Sequence, residues 1–141
     1  MSDTLLTIQN IKKRKDFLYI SDNGASVVTP AFVVKCALPV RKFHQGERSV
    51  PCENGVRVGY VVRKKIGNAV TRSFVRRRLR EMVRADIPFN GEAGYDYVVI
   101  ARSYSVKRDF GKMRKEFVSA LKQLASEMKS AAAGKETSTE R

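Results

Sequence analysis

The segment from Arg63 to Arg84 constrains this chain more than any other, because it combines dense positive charge with the apolar spacing of a helix. It holds nine Lys and Arg residues opposed only by Glu81, and so carries +8 of the formal net charge of +14. Like charges at this density repel one another, and a compact fold tolerates them best when a polyanion neutralises them. Nucleic acid is such a polyanion, since each neutralised phosphate releases a counterion and strengthens binding. A solvated basic helix without a partner is the alternative.

Apolar and basic residues fall on separate faces of the helix predicted within this segment. Asn68 is a suitable N-cap, and the helix is expected to end at Ile87–Pro88. At 100° per residue, one apolar arc that can pack on a sheet contains Val75, Leu79, Met82 and Val83. The adjoining arc contains Ser73, Arg76, Arg77, Arg80 and Arg84. A random basic run would not separate these faces, so the pattern predicts a surface that binds RNA or DNA.

The remaining segments predict a single α+β domain. A chain of 141 residues is long enough for one hydrophobic core and too short for two domains of ordinary size. Spacing and turn residues predict helices at 10–21 and 109–128, extended chain at 27–38, a loop at 39–55, and strands at 57–63 and 95–101. We expect a two-layer sandwich over residues 1–128. A disordered C-terminal tail is expected at 129–141, which has no large apolar side chain to bury.

The composition argues against membrane, secreted and metal-binding proteins. No apolar run approaches the roughly 20 residues of a membrane span. The N-terminus lacks the pattern of a signal peptide, so we expect a cytoplasmic protein with no membrane partner. Cys36 and Cys52 are too few for a disulfide framework or a zinc site, and each is expected to be a reduced structural thiol. His44 is the only histidine and lies in a polar segment, so we expect neither a metal site nor a catalytic residue in the protein itself.

The motif KKIGNAVTRSFVRRRLRE at 64–81 closely resembles the protein subunit of bacterial ribonuclease P. It is preceded by RVGYVV and followed by YDYVVIAR, and KKRKDF with Gly24 is similar to the family's first helix. The resemblance covers roughly residues 10–125. It implies the element order α-β-β-β-α-β-α with a left-handed βαβ crossover, as in a ribosomal-protein domain. The general rule for such crossovers would have predicted the right hand.

The resemblance also implies a function. In this family the catalytic component is a large RNA, which uses bound Mg²⁺ to hydrolyse a phosphodiester bond in precursor tRNA and release the mature 5′ end. The protein binds that RNA and the single-stranded 5′ leader of the substrate. The chain is therefore expected to be a subunit of an endoribonuclease holoenzyme, to bind no metal ion by itself, and to be a monomer in the absence of RNA.

The family motif assigns contacts with the catalytic RNA residue by residue. The positions that carry over are Lys64, Lys65, Arg72, Arg76, Arg77 and Arg80. The motif has Asn and Arg where this chain has Ser73 and Phe74. Phe74 falls outside the apolar arc, and two interpretations stay open for it: stacking on an RNA base, or packing against its own loop.

The resemblance implies that the leader lies in a cleft between the first helix and the open face of the sheet. Phe17 matches an aromatic position that lines this cleft, and simple packing of the helix onto the sheet is the alternative. Alternation along RVGYVVRK directs Val61 and Arg63 towards the cleft, with Arg102 near its edge. Lys35 stands where the family often has an aromatic residue, so charge contacts are expected to be stronger and stacking weaker.

Two other functions are compatible with a basic α+β protein. A structural RNA-binding protein of the ribosomal type is the alternative function, because a similar fold and charge would serve it. A helix-turn-helix DNA-binding protein is a third interpretation, but the basic helix follows a strand rather than a partner helix.

Overall fold

One mixed sheet and three helices account for most of residues 7–11, 14–37, 55–92 and 94–139, the part of the chain that the computed structural model describes. In chain order the elements are β1 (Thr7–Asn10), α1 (Arg14–Asn23), β2 (Ala25–Val28), β3 (Phe32–Ala37), β4 (Gly55–Val61), α2 (Ala69–Asn90), β5 (Asp96–Ala101) and α3 (Phe110–Thr139). The strand order in the sheet is β1-β4-β5-β3-β2. β4 is parallel to both β1 and β5, whereas β3 is antiparallel to both β5 and β2.

The main core lies between one face of the sheet and the layer formed by α2 and α3. Strand alternation sends every second side chain into this core, including Phe32, Val34, Val56, Val58 and Val99. The predicted apolar arc of α2 is fully buried there, which confirms that part of the sequence analysis. α3 contributes Met113, Phe117, Leu121 and Leu124. The rings of Phe32 and Phe117 meet edge to face, with their centres 6.0 Å apart.

The opposite face of the sheet is only partly covered, and α1 is the helix that covers it. Ile20 of α1 packs with Ile11, Ala37 and Val98 in a second, smaller cluster. Gly24 ends α1 where the chain passes close to β3. A Cβ atom at this position would lie 2.3 Å from the Cys36 carbonyl oxygen, so only glycine fits.

The observed elements confirm an α+β sandwich and correct several predicted boundaries. β1 was not predicted, because its four residues show little burial and are ordered by backbone pairing with β4 at the sheet edge. From α1 onwards the element order is the one that the resemblance implies. α1 begins at Arg14 rather than Asn10 and ends at Asn23. The handedness of the β4-α2-β5 crossover stays a prediction.

The ends of α2 and α3 also differ from the prediction. Pro88 lies inside α2, where the ring removes one hydrogen-bond donor, yet the Gly91 N–H still donates to the Ile87 carbonyl at 2.8 Å and completes the last turn. α3 continues to Thr139 instead of ending at Met128. The division into a domain at 1–128 and a disordered tail at 129–141 stays a prediction. Most of the predicted loop, with His44 and Cys52, lies outside the described residues.

Two observations concern the expected state of the cysteines and the expected absence of a membrane span. Cys36 is a buried, free cysteine, and burial raises the pKa of its thiol to about 12, so this thiol is protonated and unreactive at neutral pH. Within the described ranges, none of the helices combines the length and the apolar character that a membrane crossing requires.

Candidate nucleic-acid interface

The entry to α2 is held by a side-chain cap and an arginine. The Thr71 N–H donates to the Asn68 side-chain oxygen at 2.9 Å, which confirms the predicted N-cap. Arg72 Nε donates to the Gly67 carbonyl at 3.1 Å, so this guanidinium folds back onto the turn that begins the helix. Lys64 and Lys65 lie in the 3₁₀ turn just before it, and both are exposed.

The arginines along the outer face of α2 form an exposed basic surface. Arg77, Arg80 and Arg84 are exposed, whereas Arg76 is half-buried. The Arg80 guanidinium lies over the Tyr60 ring, 5.9 Å from its centre. Burial raises the pKa of Tyr60 to about 12, against the opposing effect of Arg80, so the ring stays neutral under the cation. Arg80 is thereby held in place with its charge available to an anion.

Arg78 belongs to the same run of arginines but has a structural role. Its guanidinium donates to the carbonyl oxygens of Val106, at 3.3 Å, and of Arg108. It also lies between two rings, 5.3 Å from the centre of Phe74 and 5.7 Å from that of Phe110. Arg78 therefore ties α2 to the segment between β5 and α3. This role was not predicted, because in the sequence Arg78 looks the same as its neighbours Arg76 and Arg77 in a basic run.

A groove of about 700 Å³ lies on the open face of the sheet beyond α1. Its lining includes Val33, Lys35, Arg63, Lys65, Ile100 and Arg102. Strand register explains the grouping, since Val33 is paired with Ile100, which is paired with Val61 on its other side, so these side chains share one face. The result is an apolar floor with lysine and arginine around it.

The segment after β5 completes one edge of this groove. Arg102 is exposed, and its guanidinium donates to the Thr29 carbonyl at 2.8 Å, which links β5 to the turn between β2 and β3. Tyr104 also lines the groove and is exposed. Tyr104 was not among the predicted cleft residues, although its position two residues after Arg102 in a strand-ending segment was a usable signal.

Phe17 and Val61 lie beside the groove rather than in its lining. Both are half-buried and pack against the small cluster under α1. The Phe17 ring rests on Gly59, where a Cβ atom would come within 2.4 Å of the ring carbon Cε1. Of the five residues assigned to the leader cleft, the structure thus brings together Lys35, Arg63 and Arg102 and sets Phe17 and Val61 at one side.

The described residues contain no group of three or more His, Cys, Asp or Glu side chains arranged to hold a metal ion. The charged groups that do converge are cations, on the outer face of α2 and around the groove. Lys65 lines the groove and also lies in the turn before α2, so the groove adjoins the N-terminal end of the basic helix. Two neighbouring cationic surfaces suit two stretches of polyanion lying side by side.

Several known proteins are similar to this chain in sequence or in structure. The chain is 41% identical over 112 residues to the ribonuclease P protein component of Erythrobacter litoralis, covering 79% of this chain and 82% of that protein. It is 33% identical over 126 residues to the one from Paramagnetospirillum magneticum, covering 89% and 90%. The RNase P protein from Thermotoga maritima is a structural neighbour with a TM-score of 0.63 at 28% identity, covering 82% of this chain and 96% of that one.

A second structural neighbour is the RNase P protein of Staphylococcus aureus, with a TM-score of 0.59 at 28% identity, covering 85% of this chain and 94% of that one. The alternative of a ribosomal-type structural protein is not favoured by these relatives. The family model for ribonuclease P matches residues 6–125, which include β1, the basic helix and the groove. This chain therefore belongs to the family of ribonuclease P protein components, the protein subunits of that ribonucleoprotein.

Proposed function

We propose that this protein binds the catalytic RNA of ribonuclease P through the basic face of α2 and the 5′ leader of precursor tRNA through the groove. One observation carries the proposal: Lys65 belongs both to the turn before α2 and to the groove lining, so the groove adjoins the N-terminal end of the basic helix. Two RNA strands that approach one another repel through their phosphates, and a cationic surface between them offsets this repulsion. The protein would act by holding the substrate beside the catalytic RNA.

The groove has the chemistry that suits a single strand without fixed sequence. Its floor is apolar at Val33 and Ile100, and Tyr104 offers an exposed ring at its edge. Single-stranded RNA is commonly held by aromatic rings that stack on bases and by cations that follow the backbone. Lys35 and Arg63 supply such cations here. The leader is therefore bound through its phosphates, with stacking at Tyr104 and at the open part of the Phe17 ring.

Hydrolysis is assigned to the RNA component in this proposal, with Mg²⁺ held by that RNA. The protein supplies Lys64, Lys65, Arg72, Arg76, Arg77 and Arg80 to the catalytic RNA. It is proposed to be cytoplasmic and to be a monomer before it meets RNA. The family relationship supports the association with ribonuclease P RNA.

Reconstitution tests whether the RNA component, rather than the protein, carries out the hydrolysis. We expect the isolated protein to leave precursor tRNA intact, and the protein mixed with ribonuclease P RNA to cleave it at Mg²⁺ concentrations too low for the RNA alone. Phosphate neutralisation by the protein replaces part of the Mg²⁺ requirement, which is the physical reason for the effect. Gel analysis of 5′-labelled precursor measures it. Cleavage by protein alone that survives nuclease treatment of the preparation contradicts the assignment of chemistry to the RNA.

Substitution of Phe17 tests the cleft assignment. The ring is half-buried on Gly59, so its open part is expected to meet the leader where α1 borders the groove. Base stacking contributes roughly 1–3 kcal/mol. Phe17→Ala is therefore expected to weaken holoenzyme binding of precursor tRNA about 5- to 150-fold, with mature tRNA almost unaffected. Equilibrium binding of the two tRNAs measures the difference.

The neighbouring residue Leu18 provides the matched control, because it is exposed on the same helix but not among the residues that pack with Phe17. Leu18→Ala is expected to change neither affinity. Equal losses for precursor and mature tRNA in Phe17→Ala, or a lower melting temperature with unchanged binding, would make Phe17 a packing residue only.

A further inference from the structure

An apolar hollow of about 630 Å³ lies beside the first turns of α2 and shares no lining residue with the groove. Its lining includes Ala69, Val70, Thr71, Phe74, Arg77 and Val106. Val70 is 78% exposed and Phe74 38% exposed, although water disfavours large apolar side chains. Val70 and Phe74 lie one helical turn apart beside the hollow, so together they form an exposed apolar patch of the kind that binding partners cover.

The Phe74 ring is held rigidly from behind. The Arg78 guanidinium covers it at 5.3 Å from the ring centre and is itself fixed by hydrogen bonds to the Val106 and Arg108 carbonyls. Phe110 lies against the same guanidinium. A ring supported in this way loses little freedom when a ligand binds its open side, so it is preorganised for stacking.

The charge around the hollow selects the kind of partner. Arg77 forms part of the lining, and Arg72 and Arg76 lie on the same helix within a segment whose only acidic residue is Glu81. An apolar protein surface would have to bury these cations without neutralising them, at a high desolvation cost. A nucleotide offers a flat apolar base beside an anionic phosphate, and so matches both parts of the site.

We propose that this hollow binds an unpaired nucleobase of the ribonuclease P RNA, stacked on the open side of Phe74, with an adjacent phosphate at Arg77. The inference rests on the proposed function and adds a specific contact to it. Phe74 adds a stacking contact to a part of the RNA interface where Arg77 supplies the charge.

Binding of in vitro transcribed ribonuclease P RNA to four variants separates stacking from other roles. Phe74→Tyr keeps the ring and is expected to bind like the wild type. Phe74→Leu keeps apolar volume and Phe74→Ala removes it, and both are expected to bind about 5- to 150-fold more weakly. Their salt dependence should match that of the wild type, because no counterion release is lost. Arg77→Ala should instead reduce the slope by about 0.7–0.9.

Fluorescence reports the contact directly, because the chain contains no tryptophan. The single tryptophan of Phe74→Trp is expected to be quenched as the RNA is added, with the same midpoint as in the binding assay. Phe89→Trp is the matched control, since Phe89 is 69% exposed on the same helix, about 22 Å further along its axis. Its emission is expected to stay nearly constant.

The possible outcomes distinguish this inference from the proposed function. If the wild-type protein does not bind the RNA, both the proposed function and the proposed nucleobase site are wrong. If the wild type binds but Phe74→Leu binds equally well with a native circular dichroism spectrum, the hollow serves an apolar contact with something other than this RNA and the inference is overturned. Unchanged Phe74→Trp emission at saturating RNA, or equal quenching at position 89, also overturns it.

Discussion

Replacement of Arg76, Arg77 and Arg80 by alanine is expected to weaken binding of ribonuclease P RNA on the order of 100-fold near physiological salt. These side chains lie outside the buried apolar arc of α2, so the fold should survive their loss. Each lost phosphate contact lowers the slope of log K against log salt by about 0.7 to 0.9. The triple variant should therefore show a slope shallower by about 2 to 3. Binding isotherms at several salt concentrations measure both quantities.

A variant with the same loss of charge elsewhere serves as the control. Lys112, Lys115 and Lys122 are exposed on α3 and belong to neither basic surface. Their triple replacement by alanine lowers the net charge equally, and it should change affinity and slope much less. Equal effects in the two variants would mean that net charge alone attracts the RNA. If the α2 variant has a native circular dichroism spectrum and binds the RNA as the wild type does, the three arginines are solvated residues that do not contact the RNA.

Asp96→Ala is expected to lower the free energy of unfolding by about 3–5 kcal/mol, the largest stability effect of a single substitution considered for this chain. Asp96 is 1% exposed and Arg57 6% exposed, and Arg57 Nε donates to the Asp96 carboxylate at 2.9 Å. Removal of the carboxylate takes two charge-assisted hydrogen bonds away from a buried guanidinium. The pair also joins β4 to β5, the two strands that lead into Arg63 and Arg102. Urea unfolding followed by circular dichroism measures the loss.

The ion pair between Asp86 and Arg114 is the matched comparison. Its geometry is similarly bidentate, but the Arg114 side chain is 45% exposed, so water can solvate this guanidinium after Asp86→Ala. The expected loss there is about 1 kcal/mol. If Asp96→Ala does not fold, Asp96→Asn keeps the shape of the side chain and is expected to lose most of the same stability. Equal losses of unfolding free energy at Asp86 and Asp96 would show that burial of the arginine does not determine how much each ion pair stabilises the fold.

Short-range patterns in the sequence were sufficient to predict the basic helix α2. A helix repeats every 3.6 residues and a strand every two, so the buried and exposed faces of each are written in neighbouring positions. This is why the arc containing Val75 and Leu79, the N-cap at Asn68, and the opposite orientations of Tyr60 and Val61 were all predicted correctly. The same helical repeat correctly predicted that Arg77 and Arg80 lie on the exposed face of α2.

Element ends were predicted less well, because competing local signals were close in energy. Pro88 normally ends a helix, yet near a C-terminus it removes only one hydrogen bond, and the turn closed by Gly91 remains. β1 has no distinctive side-chain pattern and depends on a partner strand almost 50 residues away for its hydrogen bonds. Neither outcome can be read from a window of neighbouring residues.

By itself, the sequence determined the family, the amphipathic basic helix and the sign of the partner's charge, since these depend on residue identity and local spacing. Only the tertiary structure decided which arginine of the run at 76–78 is structural. Arg78 is set apart by carbonyl acceptors 28 and 30 residues away, at Val106 and Arg108. It likewise decided that Phe17 rests on Gly59 and that Lys65 joins α2 to the groove. These contacts depend on where distant segments meet, and that is set by packing of the whole sheet and its helices rather than by any local preference.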